Sequence, residues 1–221
     1  MKLTIIGATG GIGSLVCAQA LAVGHDLTAV VRNPTAQPPG TRAVVADLAA
    51  PDPAALASAI EGSDAVLSAL GPRTAEDAGV VARGTNVLAA AMTAVGVRRL
   101  IVVSAAPIGT VASPGRPRPP RHDPGDGIVM RTLLSPLIKR IFRVPYADLA
   151  LMEDGLRAGD LDWTIVRPPR LTNGPHTRTY RTARDRNLRR GLSVSRADVA
   201  DLMLDLLSRP DTIGHTIGIA D

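Results

Sequence analysis

Short apolar runs alternate with longer amphipathic stretches along all 221 residues of the chain. The short runs, bounded by glycine and polar residues, predict β-strands at 2–6, 27–31, 43–46, 65–69, 99–103, 162–166 and 215–219. The stretches with helical spacing predict α-helices at 12–23, 53–61, 77–95, 146–158 and 196–208, and a further apolar stripe predicts a helix over 128–142 that roofs the cleft. Strand and helix therefore alternate along the chain.

Residues at the predicted helix ends agree with this assignment. Gly24, Gly96 and Gly159 each follow a predicted last turn, where glycine adopts the left-handed conformation easily. Ser195 and Asp198 form a capping-box pattern at the start of another helix. Strands that are apolar on both faces and separated by helices indicate a parallel sheet covered on each side. We therefore predict a doubly wound α/β fold, as a single domain over 1–221 with a small C-terminal substrate-binding portion.

The composition indicates the size of the core and the cellular compartment of the protein. The 45% of hydrophobic residues suffices for one sizeable core. Cys17 is the only cysteine, which excludes an internal disulfide. Glycines follow the first residues too early for a signal peptide, and no apolar run approaches the roughly 18 residues of a membrane helix. We expect a cytoplasmic protein with no membrane segment.

The formal charge of +5 comes almost entirely from arginine, since Lys2 and Lys139 are the only lysines. The densest cluster, at 177–190, holds six arginines but only one aromatic residue and one acid. This is a poor platform for stacking nucleic-acid bases. We expect a solvated or anion-binding surface and no nucleic-acid partner.

A proline- and glycine-rich segment interrupts the alternation at 107–127, with six prolines and four glycines. This composition excludes a helix or a central strand. The segment follows the fifth predicted strand, and doubly wound folds bind ligands at the carboxyl ends of their strands. We expect either a mobile substrate lid or a disordered segment.

The motif GATGGIG at 7–13 directly follows a strand and opens a helix, the context of a dinucleotide-binding turn. Gly7 permits the tight turn, Gly10 or Gly11 lets the backbone approach a pyrophosphate, and Gly13 lets helix and strand pack closely. The helix N-terminus adds free N–H groups and a partial positive charge. Thr9 and Ile12 complete this predicted cofactor turn.

The second predicted strand ends in Arg32 and Asn33. An acid at this place accepts hydrogen bonds from the ribose hydroxyls of NAD, whereas an arginine offers a planar cation to the 2′-phosphate of NADP. We therefore predict NADP(H) as the cofactor, with Asn33 adding a neutral hydrogen bond. Asp47, after the third strand, is predicted to meet the adenine amino group.

Together these motifs resemble the atypical short-chain dehydrogenase/reductase superfamily. Within it, the chain is similar to the NAD(P)H-binding group of NmrA-like proteins and the biliverdin reductase B (flavin reductase) family. The resemblance rests on GATGGIG, VVRNP, VADL, DAVLSALG, VGVRRLIVVSA, LDWTIVRPPRLTNGP and SRADVADLML and covers nearly the whole chain. It implies a Rossmann-like fold with NADPH lying across the strand ends. Further cofactor contacts are then expected from Leu48, Ala69, Leu70, Gly71, Ser104, Pro168 and Pro169.

The resemblance also places the candidate catalytic residues. Ser104 stands where the flavin reductase branch has a serine beside the nicotinamide, and Arg170 replaces the histidine of that branch. Tyr146 lacks the lysine of the typical Tyr-Lys acid, because Leu149 and Ala150 occupy the two places where that lysine is expected. Without a nearby cation, Tyr146 has no reason to titrate far below its ordinary pKa near 10.

Hydride transfer to a flavin, quinone or enone does not require that pair, since the acceptor itself spreads the negative charge. We therefore expect an NADPH-dependent reductase of a small conjugated substrate, with Ser104, Arg170 and Tyr146 at the site. Arg178 and Tyr180 are expected on the substrate side. The histidines show no metal-ligand spacing, so no metal is expected. A non-catalytic NADP sensor of the NmrA type and an NADP-dependent epimerase remain alternatives, and the chain is expected to act as a monomer or dimer.

Overall fold

The computed structural model describes residues 1–72, 77–127 and 141–221. The strands in chain order are β1 (Lys2–Ile6), β2 (Asp26–Val31), β3 (Arg42–Val45), β4 (Ala65–Ser68), β5 (Arg99–Val103), β6 (Asp162–Arg167), β7 (Arg170–Thr172), β8 (Arg181–Arg184), β9 (Ser193–Ser195) and β10 (His215–Ala220). The α-helices are α1 (Gly13–Ala22), α2 (Pro53–Ile60), α3 (Val80–Ala94), α4 (Arg143–Ala158) and α5 (Arg196–Asp205).

The main sheet has the strand order β3-β2-β1-β4-β5-β6-β10-β8. All neighbours pair in parallel except β8, which runs antiparallel to β10 at the edge. The chain reverses direction across the sheet between β1 and β4, and such a switch point opens a crevice at the carboxyl ends of the strands. β7 and β9 form a separate two-stranded parallel sheet.

Two apolar layers cover the two faces of the main sheet. On one face Leu3 and Ile5 pack in a cluster with Val16 of α1 and Val199 of α5. On the other face Ile6 and Val66 pack with residues of α2, α3 and α4, including Leu56, Leu88 and Met152. Burial on both faces explains why the strands are apolar runs without alternation. The predicted α/β, doubly wound fold is confirmed.

Most element bounds agree with the prediction, and the differences have local causes. Helix α3 begins at Val80 and not at 77, because Gly79 takes a left-handed φ of 80°. Helix α4 begins at Arg143, three residues before Tyr146. The helix predicted at 128–142 lies, except for its last two residues, outside the described residues. Strands β7, β8 and β9 were not predicted.

Residues 107–127 form an irregular loop that is attached to the body of the protein by specific contacts. Asp123, which is only 4% exposed, accepts hydrogen bonds from the backbone N–H groups of Gly125 (2.9 Å) and Asn187 (2.8 Å). The Gly115 N–H donates to Asp154 of α4 at 2.8 Å. A 3-10 helix covers Ala106–Thr110, so the prediction that this segment contains no helix was wrong at its first residues, where Pro107 fits the first turn. Lid motion stays a prediction.

Within the described residues, none of the helices has the length and hydrophobicity that crossing a bilayer requires.

Candidate functional site

The glycine-rich turn between β1 and α1 has a geometry that side chains would disrupt. Gly7 has φ +73°, and a Cβ atom built on it would lie 2.7 Å from the Ala69 carbonyl oxygen. A Cβ on Gly13 would lie 2.1 Å from the Gly7 carbonyl oxygen. The Gly10 N–H donates to that same oxygen at 2.9 Å. Close approach of strand and helix therefore requires glycine at both ends of the motif.

The amides at the end of this turn are available to a ligand. Among the described residues, the backbone N–H groups of Gly11 and Ile12 have no hydrogen-bond partner. They stand at the N-terminus of α1, where the helix dipole favours an anion. The turn thus fits the pyrophosphate of a dinucleotide.

A groove of about 400 Å³ begins at this turn and runs along the carboxyl ends of the strands. It collects most of the predicted cofactor residues: Gly7, Thr9, Gly10, Gly11, Ile12, Arg32, Asn33, Asp47, Leu48, Ala69, Leu70 and Gly71. Gly13, predicted to contact the cofactor, is not in its wall, because the residue is buried against Gly7 and serves close packing.

The end of the groove near β2 carries both signs of charge. The Arg32 guanidinium and the Asp77 carboxylate are 4.0 Å apart, and the two side chains are 45% and 19% exposed. Asn33 Oδ1 accepts hydrogen bonds from the Thr35 N–H and hydroxyl, which fixes the start of a short 3-10 turn. A phosphate at this end of the groove would meet Arg32 and would compete with Asp77 for it.

A larger cavity, of about 1010 Å³, lies beside the groove. Pro168, Pro169, Arg170 and Tyr146 line this second cavity and not the groove. Its apolar walls also include Phe142, Leu188, Leu192 and Ile219. Leu171 and Arg196 line both cavities and therefore stand at their junction.

The rim of the larger cavity is cationic. The side chains of Arg170, Arg189 and Arg190 make no hydrogen bond or ion pair with any other described residue. Asp126, the described acid in the wall, accepts a hydrogen bond from the Asn187 side chain at 3.1 Å. Unpaired guanidinium groups beside apolar walls suit a ligand with an apolar body and an anionic group.

Ser104 belongs to a buried polar network beneath the cavity. Its hydroxyl donates to Glu153 Oε1 at 2.7 Å, and Ser104 lines neither cavity. Glu153 is fully buried and accepts hydrogen bonds from the Nε (2.9 Å) and Nη2 groups of Arg167 and from Arg157 (2.8 Å). The Ser104 proton is thus engaged by a carboxylate, and a direct contact of Ser104 with cofactor or substrate stays a prediction.

The charge state of Glu153 follows from its partners. Burial alone would raise the pKa of its carboxyl group. The hydrogen bonds and positive charges of Arg167 and Arg157 outweigh burial and hold the pKa below its ordinary value. Glu153 is therefore ionised at neutral pH and neutralises Arg167, which is 5% exposed in the cavity wall.

Tyr146 faces the larger cavity from the first turn of α4. Its ring stacks on Phe142 with the centroids 5.6 Å apart. Burial raises the pKa of Tyr146, and Leu149 and Ala150 supply no cation to oppose this. Tyr146 is therefore protonated at neutral pH, and its position suits a hydrogen-bond donor or a cavity wall.

Arg178 and Tyr180 are not in the wall of either cavity. Both bind Asp201 of α5, the Arg178 Nε at 3.0 Å and the Tyr180 hydroxyl at 2.7 Å. Their expected position on the substrate side stays a prediction, and after β7 the chain turns towards α5. No group of three or more His, Cys, Asp or Glu side chains suited to a metal ion occurs in the described part of the chain.

The sequence did not identify three features of the site. Arg196 at the junction belongs to a capping-box sequence and was assigned only to a helix start. Arg167 ends a buried strand, and an arginine at such a place is a signal for a buried carboxylate partner. The stretch 187–192 lines the larger cavity, but its composition resembles that of a solvated surface.

Comparisons with known proteins agree with this site. A family model described as NAD(P)H-binding matches residues 7–210. A Burkholderia pseudomallei structure, provisionally described as an exported protein, is 30% identical and covers 100% of both chains, with a TM-score of 0.73. A Bacillus halodurans protein, provisionally named an NAD-dependent epimerase/dehydratase, is 26% identical over 100% of this chain and 94% of its own, with a TM-score of 0.74. The fold is also similar to that of SP1627 of Streptococcus pneumoniae, provisionally named an NADH-flavin reductase. The two proteins are 23% identical over 100% of this chain and 99% of SP1627, with a TM-score of 0.76.

A parallel sheet with a glycine-rich turn at its switch point, and a groove along its strand ends, defines a dinucleotide-binding protein with a Rossmann-like fold. The chain belongs to the NAD(P)H-binding family.

Proposed function

We propose that the protein is an NADPH-dependent reductase that acts on a small conjugated acceptor bearing an anionic group. The observation that carries this proposal is the junction at Leu171 and Arg196, where the dinucleotide groove meets the larger cavity. A cofactor and an acceptor bound in these two compartments would be neighbours. Holding a donor and an acceptor in contact can supply on the order of 7 to 11 kcal/mol of the activation free energy.

The choice of NADPH is supported by the end of β2. Arg32 stands where an NAD-binding protein has an acid for the ribose hydroxyls. A guanidinium group offers the 2′-phosphate two parallel hydrogen bonds in addition to its charge. The neighbouring Asp77 opposes this preference in part, since the same guanidinium lies 4.0 Å from its carboxylate.

An anionic conjugated acceptor is supported by the walls of the larger cavity. Pro168, Pro169 and Phe142 offer apolar surface to a flat body, while Arg170 and Arg189 offer cations to its carboxylate or phosphate. A relative from Streptococcus pneumoniae carries a provisional flavin reductase name, which fits this acceptor class.

In such a reaction the residues of the chain would position the acceptor and stabilise its charge. The reduced nicotinamide, when bound, supplies a hydride. The apolar walls position the acceptor and exclude water, and Arg170 stabilises the negative charge that the acceptor gains. No residue of the site needs to donate a proton during transfer, because a conjugated acceptor delocalises the charge and takes a proton from water afterwards.

The decisive experiment measures NADPH oxidation by the purified protein with flavins, quinones and enones. FMN and riboflavin form a matched pair, since they share the ring and differ in the phosphate. We expect turnover with at least one conjugated acceptor and a lower KM for FMN than for riboflavin if a flavin is used. Arg170→Ala should remove most of that difference in KM.

Two other outcomes would contradict the proposal. Tight NADPH binding without turnover of any acceptor would favour a dinucleotide sensor, which the missing Tyr-Lys pair permits. Inversion of a sugar or alcohol stereocentre without net consumption of cofactor would favour an epimerase, the provisional name of the Bacillus halodurans relative.

The proposal also covers the oligomeric state and the cellular compartment of the protein. Described residues of one chain provide walls for both compartments, which supports a monomer or a dimer that needs no partner residue in its site. We assign it to the cytoplasm, where NADPH is available, and cell fractionation with a tagged full chain would test the assignment.

A further inference from the structure

Arg196 is the first residue of α5, and two contacts fix the backbone there. The Ser195 hydroxyl accepts a hydrogen bond from the Asp198 N–H at 2.9 Å and caps the helix. The Gln19 side chain of α1 donates to the Ala197 carbonyl at 2.9 Å. Because α1 is the helix that the glycine-rich turn opens, this bond ties the base of Arg196 to the phosphate-binding turn.

The side chain of Arg196 lies directly on that turn. A Cβ atom built on Gly11 would be 3.0 Å from Cδ and 3.1 Å from Nε of Arg196. The Asn173 Oδ1 atom accepts a hydrogen bond from Nη1 of Arg196 at 2.6 Å. The Arg196 side chain therefore lies against Gly11 and is held there by Asn173.

Within the described part of the chain, the Arg196 guanidinium charge has no acidic partner. Among the described residues Arg196 forms no ion pair, and its hydrogen bond goes to a neutral amide. The nearest unpartnered polar groups of the turn are the N–H groups of Gly11 and Ile12, which are also donors. Donors that converge from two elements, with no acceptor between them, define a binding site for an anion.

We propose that Arg196 closes over the pyrophosphate of NAD(P)H and holds it against the glycine-rich turn. The inference rests on the dinucleotide binding of the proposed function but not on turnover. The turn binds one side of the pyrophosphate through backbone N–H groups, and Arg196 binds the other side with a planar cation from the C-terminal part of the chain. Because Arg196 stands at the junction of the two cavities, it would be a cofactor ligand that comes from the C-terminal, substrate-binding portion of the chain.

The test compares the affinities of Arg196→Gln for NADPH, NADH and 2′-AMP, measured by calorimetry on the full chain. Glutamine keeps the apolar stem and removes the charge. Both dinucleotides contain the pyrophosphate, so their Kd values should rise by the same factor, about tenfold or more. The affinity for 2′-AMP, which lacks the 5′-phosphates, should change by less than about twofold, since Arg196 is not expected to touch it. Arg186→Ala is the matched control, because Arg186 is exposed and lines neither cavity.

Each contrary result has a distinct meaning. Unchanged affinity for both dinucleotides would overturn the inference, and a raised KM for the acceptor alone would assign the guanidinium to the acceptor's anion instead. A larger loss for NADPH than for NADH would place Arg196 on the 2′-phosphate and would also overturn it. Failure of the unaltered protein to bind any dinucleotide would contradict the proposed function itself. If Arg196→Gln does not fold, Arg196→Lys gives the same comparison with a smaller expected loss, because lysine keeps the charge without the planar fork.

Discussion

Arg32 is the residue proposed to select NADPH, and the neighbouring Asp77 carboxylate opposes that selection. Their side chains share one end of the groove and are 4.0 Å apart. A pair as exposed as this contributes little to stability. Substitutions there should therefore change ligand binding more than folding.

Arg32→Glu should weaken NADPH binding by about tenfold to a hundredfold, because it replaces charge-assisted hydrogen bonds to the 2′-phosphate with repulsion. NADH binding should change much less. Asp77→Asn is the opposing variant and should increase the preference for NADPH, since it removes the competing carboxylate. Fluorescence titration of both coenzymes measures the ratio, and equal weakening of NADPH and NADH by Arg32→Glu would refute the assignment.

Glu153 is a fully buried carboxylate whose substitution should lower stability. Glu153→Gln would leave Arg167 buried without its counter-charge, which typically costs about 3 to 5 kcal/mol. The pKa of Glu153 lies below its ordinary value of 4.5 in the folded protein. Its stabilising contribution is therefore fully present above pH 4.5 and is lost as the pH falls through the lower, folded-state pKa.

Urea unfolding across the acid range checks both parts of this prediction. The variant should be less stable at pH 7 and should lose less of its stability between neutral and acid pH than the unaltered protein. Glu61→Gln, at an exposed helix end, is the control and should follow the unaltered curve. Parallel curves for Glu153→Gln and the unaltered protein would show that Glu153 does not carry the acid dependence.

The N-terminus of helix α3 is capped by a side chain of helix α4. Its N-cap is Gly79, which has no side chain to satisfy the first N–H groups. Asp148 of α4 does so instead, accepting hydrogen bonds from Val81 N–H (3.0 Å) and Ala82 N–H (2.9 Å) while it is 5% exposed. The cap joins α3, whose first residue Val80 lines the groove, to α4, which carries Tyr146.

Asp148→Ala should destabilise the protein by about 1 to 2 kcal/mol, and by more than Asp52→Ala. Asp52 caps α2 through the Ala54 N–H at an exposed position, where water can replace the lost hydrogen bond. Denaturant unfolding of the two variants measures the difference. Equal losses would mean that burial of the Asp148 cap adds nothing.

The sequence predicted elements well where a strand is buried on both faces, as at 2–6 and 99–103, which coincide with β1 and β5. It did not predict β7 and β9, because strands of three residues show no periodicity. β8 was missed because its sequence RTAR is mostly exposed and polar, as is common in an edge strand. The glycine turn was predictable because its geometry is local, whereas Arg196 reaches the same site only through the tertiary fold.

At the scale of the whole molecule, the larger cavity depends on contacts between segments that are far apart in the chain. Asp123 joins the loop 107–127 to the segment that follows β8, since one carboxylate oxygen binds both Gly125 and Asn187. A Cβ atom on Gly125 would lie 1.7 Å from the Asn187 carbonyl oxygen, so the two backbones are in close contact. Asn187 and Asp126 both line the cavity.

Asp123→Ala should release this attachment. We expect a loss of about 1 to 3 kcal/mol, because two half-buried N–H groups lose their acceptor. Limited proteolysis should cleave within 107–127 faster than in the unaltered protein, with the NADPH affinity nearly unchanged. His122→Ala, an exposed neighbour, serves as the control. Unaltered cleavage in Asp123→Ala would show that other contacts hold the loop.

The groove is built mainly from the first 80 residues and the larger cavity mainly from residues after 104, with Leu171 and Arg196 as their shared boundary. In the proposed reductase, the dinucleotide would therefore be recognised mainly by the N-terminal stretch together with Arg196, and the acceptor mainly by the C-terminal stretch. A combinatorial library restricted to 187–192, which lines the larger cavity, should diversify the acceptors of the proposed reductase while leaving the coenzyme half of the protein intact. The same partition would allow the acceptor of the proposed reductase to change in evolution without loss of dinucleotide binding.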